Sequence, residues 1–320
     1  MSDIDFNKSE EECKKALTEK PVDNIKEANE ESLYILGASE KKMRSELVKF
    51  DSLDDESINY IAFDKIISQT QEMHNIINRA ERLARCDLPV LIYGQAGTGK
   101  SMIAEAIHNA SSRRSNPFVA VKCAALLPRY IETDFFGGVS ENATGKSCSV
   151  MGFVEQADGG TLCLDEIDAL PAFIQVQLLK IIQTGEYRRI GDDKVRKLNV
   201  RVISATSKNL TEQIRLGNFR TDLFYAISIG VMTIPSLQER KGDLIYLSNY
   251  FLRQINQASS TRSDYVPKKL SPKARNLILN YSWPGNVREL YATILRATIW
   301  NDHEKITYDD LKEALLLGIH

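Results

Sequence analysis

Net charge is nearly absent from this chain of 320 residues: 41 Lys and Arg stand against 43 Asp and Glu, a formal balance of -2. That balance removes any whole-molecule electrostatic argument for nucleic acid or for an anionic membrane surface, although a local basic patch could exist, so direct DNA binding must be argued from other features. Long apolar runs are missing too. No window approaches the roughly 18 apolar residues of a membrane span, and the acidic start MSDIDFNKSEEECKK lacks the apolar stretch of a signal peptide. Cysteine is scarce: Cys13, Cys86, Cys123, Cys148 and Cys163 are odd in number, scattered and without a C-x-x-C pair. Neither a disulfide framework nor a zinc site is indicated, and the pattern suits buried thiols in a reducing cytoplasm. With 17 glycines, 9 prolines and 43% hydrophobic residues, the composition is that of an ordinary globular protein.

What is present divides into three stretches. Residues 1–62 are rich in Glu, Asp and Lys with short apolar clusters (LYILG, MRSELVKF), and read as an acidic extension, mainly helical or partly disordered. From Phe63 to residue 237, short apolar runs alternate with helical segments. LPVLIY, PFVAV, TLCLD, VRVISAT and GVMTIP are the runs; SMIAEAIHNA and PAFIQVQLLKIIQ lie between them. Such alternation predicts an α/β fold with a parallel sheet covered on both faces. After Pro235 strand signals stop. Residues 238–320 read as four helices, with Ser271-Pro272 and Asn286 as helix starts.

The tetrapeptide TGKS occurs twice. Gly94-Gln95-Ala96-Gly97-Thr98-Gly99-Lys100-Ser101 satisfies G-x-x-x-x-G-K-[ST], follows the run LPVLIY and opens a helix, which is the context a phosphate loop needs. Glycines let backbone N–H groups curl around an anion, Lys100 reaches the β and γ phosphates of ATP, and the Ser101 hydroxyl ligates Mg²⁺. About 65 residues on, the run TLCLD delivers Asp165 to hold the Mg²⁺ and Glu166 to act as general base on the attacking water. The second TGKS, Thr144 to Ser147, fails the test: Ser140 stands where the first glycine belongs, no β-run is expected before it, and SCSVMG is a poor helix start.

These stretches, together with PFVAVKCAAL, TDFFG, GFVEQADGGTLCLDEI, LLKIIQTGEYRRIG, FRTDLFYAISI, PSLQERKGDL and WPGNVREL, resemble the AAA+ domain of bacterial sigma-54-dependent transcription activators. The resemblance runs from about Phe63 to the end. It implies a five-stranded phosphate-loop AAA+ subdomain sandwiched by helices, followed by a smaller all-helical lid. It also implies an ATP-driven ring of this or a related subunit, usually a hexamer. By position, Arg288 matches the sensor arginine of the lid, Arg220 the first of two arginine fingers acting across the interface, and Ser207 the sensor residue after the strand VRVISAT. A finger is typically worth roughly 10³ to 10⁵ in rate.

Four positions depart from the family pattern. Ala226 stands at the second finger position, and Ser207 is shorter than the family's asparagine. Lys122 replaces the asparagine that restrains the catalytic glutamate, and its charge could pair with Glu166. Glu141-Asn142-Ala143-Thr144-Gly145-Lys146 lies where activators carry the glycine-aromatic loop that grips the sigma factor, and the aromatic is Ala143. The chain also ends at EALLLGIH, where many activators continue into a helix-turn-helix, and the N-terminal extension shows no convincing one, so no DNA-binding domain of its own and no direct sequence-specific DNA binding are expected. The favoured reading is an ATP-binding, ring-forming AAA+ ATPase of the activator type serving transcription. Kept beside it are a remodeller or sensor re-aimed at a partner other than sigma-54 RNA polymerase, and an ATP-binding switch with weak hydrolysis.

Overall fold

Alternating apolar runs and amphipathic segments become alternating strands and helices in the computed structural model, which describes residues 60–141, 147–260 and 265–316. The acidic extension up to residue 59 lies outside the described residues, as do Asn142 to Lys146. The remainder falls into two compact units: residues 81–92 with 104–232, and residues 63–80 with 93–103 and 233–316. The phosphate-loop residues are thus grouped with the C-terminal helices.

The chain runs α1 (Gln71–Ala84), β1 (Val90–Tyr93), α2 (Lys100–Asn109), β2 (Phe118–Lys122), α3 (Ile131–Phe136), β3 (Gly138–Glu141) and β4 (Ser147–Val150). It continues through α4 (Phe153–Gln156), β5 (Thr161–Asp165), α5 (Ala172–Thr184), β6 (Glu186–Tyr187), β7 (Arg196–Lys197) and β8 (Arg201–Thr206). Then come α6 (Leu210–Arg215), α7 (Thr221–Ile227), β9 (Gly230–Thr233) and α8 (Lys241–Ser259). The last elements are β10 (Lys269–Leu270), α9 (Pro272–Asn280), α10 (Asn286–Trp300), β11 (Lys305–Ile306) and α11 (Tyr308–Leu316).

Five strands form one parallel sheet in the order β2-β5-β8-β1-β9. Its central strands are buried along their length, with Leu91, Ile92, Leu162, Leu164 and Ile203 at 0% exposure. A parallel strand covered on both faces needs apolar residues at every position rather than at alternate ones, which is why the runs are continuous in the sequence. Ile174 and Leu178 of α5, with Leu223 and Ile227 of α7, are also fully buried.

A hairpin, β3 with β4, stands beside this sheet, Gly138 opposite Val150 and Glu141 opposite Ser147. It corrects the expectation that no β-run precedes the second TGKS. The strands pair with each other rather than entering the sheet, so they lack the apolar run that marks a buried strand. Its root is backbone against backbone. Val139 N–H donates to Ile190 O at 2.8 Å and Ile190 N–H to Gly137 O at 3.0 Å. A Cβ on Gly152 would lie 2.3 Å from Gly137 N, and one on Gly191 2.6 Å from Val139 O, so neither position admits a side chain. Glu155 and Arg189 form a mostly buried bidentate pair at 2.7 and 2.6 Å.

In the second unit α8 to α11 surround a core that includes Leu244, Leu247, Ile278, Trp283, Leu290, Ile294 and Leu311. Burying each such side chain contributes about 1.5–3 kcal/mol. Ser271 caps α9, its hydroxyl accepting from Ala274 N–H at 3.2 Å with Pro272 opening the helix, as its sequence signals. The parallel pair β10–β11 departs from the expectation of no strand after Pro235. Two residues per strand are too short to carry a periodic signal.

Candidate functional site

The turn from β1 into α2 belongs to the second unit. Gly97 (φ 77°) and Gly99 (φ 106°) hold backbone conformations that side chains disfavour. At Gly97 a Cβ would meet Gly285 O at 2.2 Å and Arg288 Cβ at 3.1 Å. Lys100, 8% exposed, donates to Gly94 O at 2.8 Å and Gln95 O at 3.1 Å, and the Thr98 hydroxyl donates to Gln95 O at 2.8 Å. Residues of the lid close on the same loop. The Asn286 amide donates to Ala96 O at 3.0 Å and Gln95 Oε1 at 3.2 Å, Val287 N–H to Gly97 O at 3.1 Å, and Arg240 to Thr98 O at 3.0 Å. Arg288 is exposed beside the loop, and Ser101 is exposed at the start of α2. A glycine cradle at a helix N-terminus, flanked by a lysine and a hydroxyl, fits the phosphates of a nucleotide.

Asp165 and Glu166 belong to the first unit. Asp165 ends β5, and Glu166 follows it with φ 57° and ψ 48°, a left-handed conformation that opens a short 3₁₀ turn, Ile167–Ala169. A non-glycine residue there stores about 1 kcal/mol or more of strain, a cost met where a side chain must be aimed. The Glu166 N–H donates to Asp165 Oδ1 at 3.1 Å. Two residues on, Asp168 accepts from the Thr206 hydroxyl at 2.5 Å and pairs with Lys208 at 2.9 Å. The bond to Asp168, then the nearby charges of Asp168 and Glu166, hold the Lys208 ammonium above its ordinary range. Ser207 lies exposed between these partners. Lys122 stands opposite Asp165 in register, and among the described residues no ion pair joins it to Glu166.

Arg220, at the start of α7, is turned onto Asp222 in a bidentate pair at 3.0 and 2.7 Å, both side chains about two-fifths exposed at 41% and 40%. Burial opposes ionisation of Asp222, but bonds from Arg220 and Leu223 N–H outweigh it and hold the carboxyl below its usual range. Ala226, at the second finger position, is buried.

Sequence reasoning passed over several members of these networks. Gln175 is fully buried, its amide donating to Leu170 O at 2.8 Å and Asn218 O at 2.9 Å while its oxygen accepts from Arg220 N–H at 2.8 Å. One side chain thereby joins the turn after Glu166 to the loop carrying Arg220. The available signal was a glutamine on the same helical stripe as Ile174 and Leu178. Asn286 was legible as a helix start but not as a buried residue in a left-handed conformation (φ 53°), and Arg240 and Asp168 gave no sequence signal. The expected partner loop, Asn142 to Lys146, lies outside the described residues; Glu141 before it ends β3.

Comparison with known proteins matches this geometry. Residues 66–234 fit the model of the Sigma-54 interaction domain, and residues 238–318 that of the AAA+ ATPase lid domain. The nitric oxide reductase transcription regulator NorR2 of Cupriavidus necator is 42% identical over 235 residues, 73% of this chain and 44% of that protein. The Nif-specific regulatory protein of Enterobacter agglomerans is 38% identical over 247 residues, 77% of this chain and 47% of its own length. The chain thus spans about half the length of such curated relatives. Crystal structures of NtrX from Brucella abortus share the fold. The complex with ATP has a TM-score of 0.69 at 29% identity, covering 89% of this chain and 64% of that one. The complex with ADP gives 0.68 at 31% identity, covering 84% and 58%. With the first of these family models spanning more than half of its residues, and the phosphate loop and lid built as described, the chain belongs to the Sigma-54 interaction domain family of AAA+ proteins.

Proposed function

We infer that this protein binds and hydrolyses ATP as a subunit of an AAA+ ring, usually a hexamer, and uses the cycle in regulating transcription by sigma-54 RNA polymerase. The observation that carries the reading is the phosphate loop: two left-handed glycines, Lys100 and Ser101 at a helix N-terminus, with Arg288 alongside. The ATP and ADP complexes of NtrX support the choice of nucleotide. Loop N–H groups and Lys100 hold the phosphates, and Glu166 takes a proton from the attacking water. Arg288 in the same subunit and Arg220 from a neighbour offset charge on the phosphoryl group, and Ser207 orients the water. Mg²⁺ entering with the nucleotide would neutralise phosphate charge. Ser101 and Asp165 would hold it, in keeping with an ion that takes few protein ligands beside phosphate oxygens and water. On this reading residues 63–237 are the nucleotide-binding subdomain, 238–320 the lid and 1–62 an extension.

Ala143 favours a second reading of the target alone. With no aromatic in the loop Glu141 to Lys146, the ring works on a protein other than the sigma factor. Purified protein is expected to hydrolyse ATP with a specific activity that rises with protein concentration, and Lys100→Ala and Glu166→Gln each to abolish it. An undiminished rate in either variant removes the active-site assignment. Capture from cells with the Glu166→Gln protein and ATP separates the targets: sigma-54 holoenzyme supports the first, its absence beside another retained protein the second.

A further inference from the structure

Five consecutive carbonyls of the phosphate loop have donors. Gly94 O and Gln95 O are taken from within the loop, by Lys100 and Thr98. The next three are taken by residues far along the chain. Ala96 O accepts from the Asn286 amide at 3.0 Å, Gly97 O from Val287 N–H at 3.1 Å, and Thr98 O from the Arg240 guanidinium at 3.0 Å. In a trans peptide the C=O and the following N–H point in opposite directions. Holding these three carbonyls therefore sets the direction of the N–H groups of Gly97, Thr98 and Gly99, the Thr98 N–H also making a long contact of 3.4 Å to Gln95 O. A phosphate nest works by converging such groups on one anion.

The donors are themselves fixed. Asn286 is 0% exposed, and its Oδ1 accepts from Leu237 N–H at 2.7 Å, so one amide spans linker, lid and loop. Arg240 is 3% exposed and lies 3.8 Å from Asp243. Asp243 is anchored in turn by Ser68, Gln69 N–H and Thr70 at 2.7 to 3.1 Å.

We propose that Asn286 and Arg240 are positioning residues for the nucleotide, forming a clamp on the carbonyl side of the phosphate loop that preorganises its N–H groups for the phosphates of a nucleoside triphosphate. The inference rests on reading residues 94–101 as the nucleotide site. Neither side chain touches phosphate. Both act through the loop backbone, lowering the ordering cost of binding, so their loss falls on affinity more than on the chemical step. Linkage requires the reverse as well: phosphate in the loop tightens the hold of the loop on Asn286 and Arg240.

Asn286→Gly is the separating variant, because glycine keeps the left-handed backbone and deletes only the amide. Arg240→Met removes a donor at a second, independent site, and Arg240→Lys restores a cation there. Mant-ATP binding and steady-state ATPase are measured on the full chain, with Lys100→Ala as reference and circular dichroism as the fold control. Asn286→Gly and Arg240→Met are each expected to weaken mant-ATP binding and raise KM for ATP roughly tenfold, as loss of one or two hydrogen bonds predicts. In both, kcat falls by less than about twofold, and Arg240→Lys recovers part of the affinity. Wild-type affinity in both variants, beside lost binding in Lys100→Ala, overturns the clamp and leaves the nucleotide site standing. A fall in kcat at unchanged KM also overturns it. Undiminished binding in Lys100→Ala removes the nucleotide site itself and the clamp with it.

Discussion

His108 shows how a single buried group sets a pH limit on this fold. It is 2% exposed on α2, with Nδ1 2.9 Å from the Thr161 hydroxyl and its ring tilted on Phe118. Burial first, then the positive charges of Arg201 and Arg113, push its pKa below 6.5, against smaller opposing contributions from Asn116 and Glu105. The folded protein therefore keeps the ring neutral at pH values where the unfolded chain would protonate it. A depressed folded pKa contributes stability that is present above the unfolded value and is lost as pH falls below about 6.5, by at most about 1.4 kcal/mol per pH unit. Urea midpoints measured between pH 7 and pH 5 are expected to decline in the wild type and to decline less in His108→Asn. Parallel declines would remove His108 as the cause. Glu166 stores a cost in its backbone: its left-handed φ of 57° stands at the opening of the turn Ile167–Ala169.

Among the elements, α5 is where packing and polar wiring meet. Ile174, Leu178 and Ile181 bury its apolar stripe, and Gln175 stands in that stripe with three hydrogen bonds to backbone groups of Leu170, Asn218 and Arg220. Gln175→Met fills a similar volume but leaves two carbonyls and one N–H without their partner. A buried orphan costs about 1–3 kcal/mol each before relaxation, so a loss of about 2–4 kcal/mol in unfolding free energy is expected from denaturant titration. A change below about 1 kcal/mol would mean that the loop carrying Arg220 is held by other contacts. The five sheet strands were legible because burial on both faces demands unbroken apolar runs, and each was placed within two or three residues. Ser271 was legible because capping is local chemistry. The hairpin β3–β4 and the pair β10–β11 were not, since their partners lie in each other or far along the chain and leave no period. Asp165, Glu166 and the loop Gly94 to Ser101 announce themselves by spacing, whereas Gln175, Asn286 and Arg240 act through buried contacts at sequence separations of 43, 190 and 142 residues.

For the whole molecule, nucleotide is the strongest available test of unity between motif and fold. If ATP binds the folded protein alone, ATP at a hundredfold excess over its Kd adds about 2.7 kcal/mol to unfolding free energy. A thermal-shift titration with Mg·ATP is expected to raise Tm progressively. Chelation of the metal is expected to shrink the shift, because the proposed nucleotide enters as its Mg²⁺ complex. A shift that survives in Lys100→Ala would place the nucleotide elsewhere. No helix among the described residues is long and apolar enough to cross a membrane. The hairpin root has a different kind of consequence. Gly137, Gly152 and Gly191 admit no side chain, and Ile190 holds the hairpin through its main-chain N–H and C=O. A socket specified by backbone atoms places no demand on the side chains of the strands it holds. Side chains along β3 and β4 can change while the socket stays as it is, like a bit changed in an unaltered chuck.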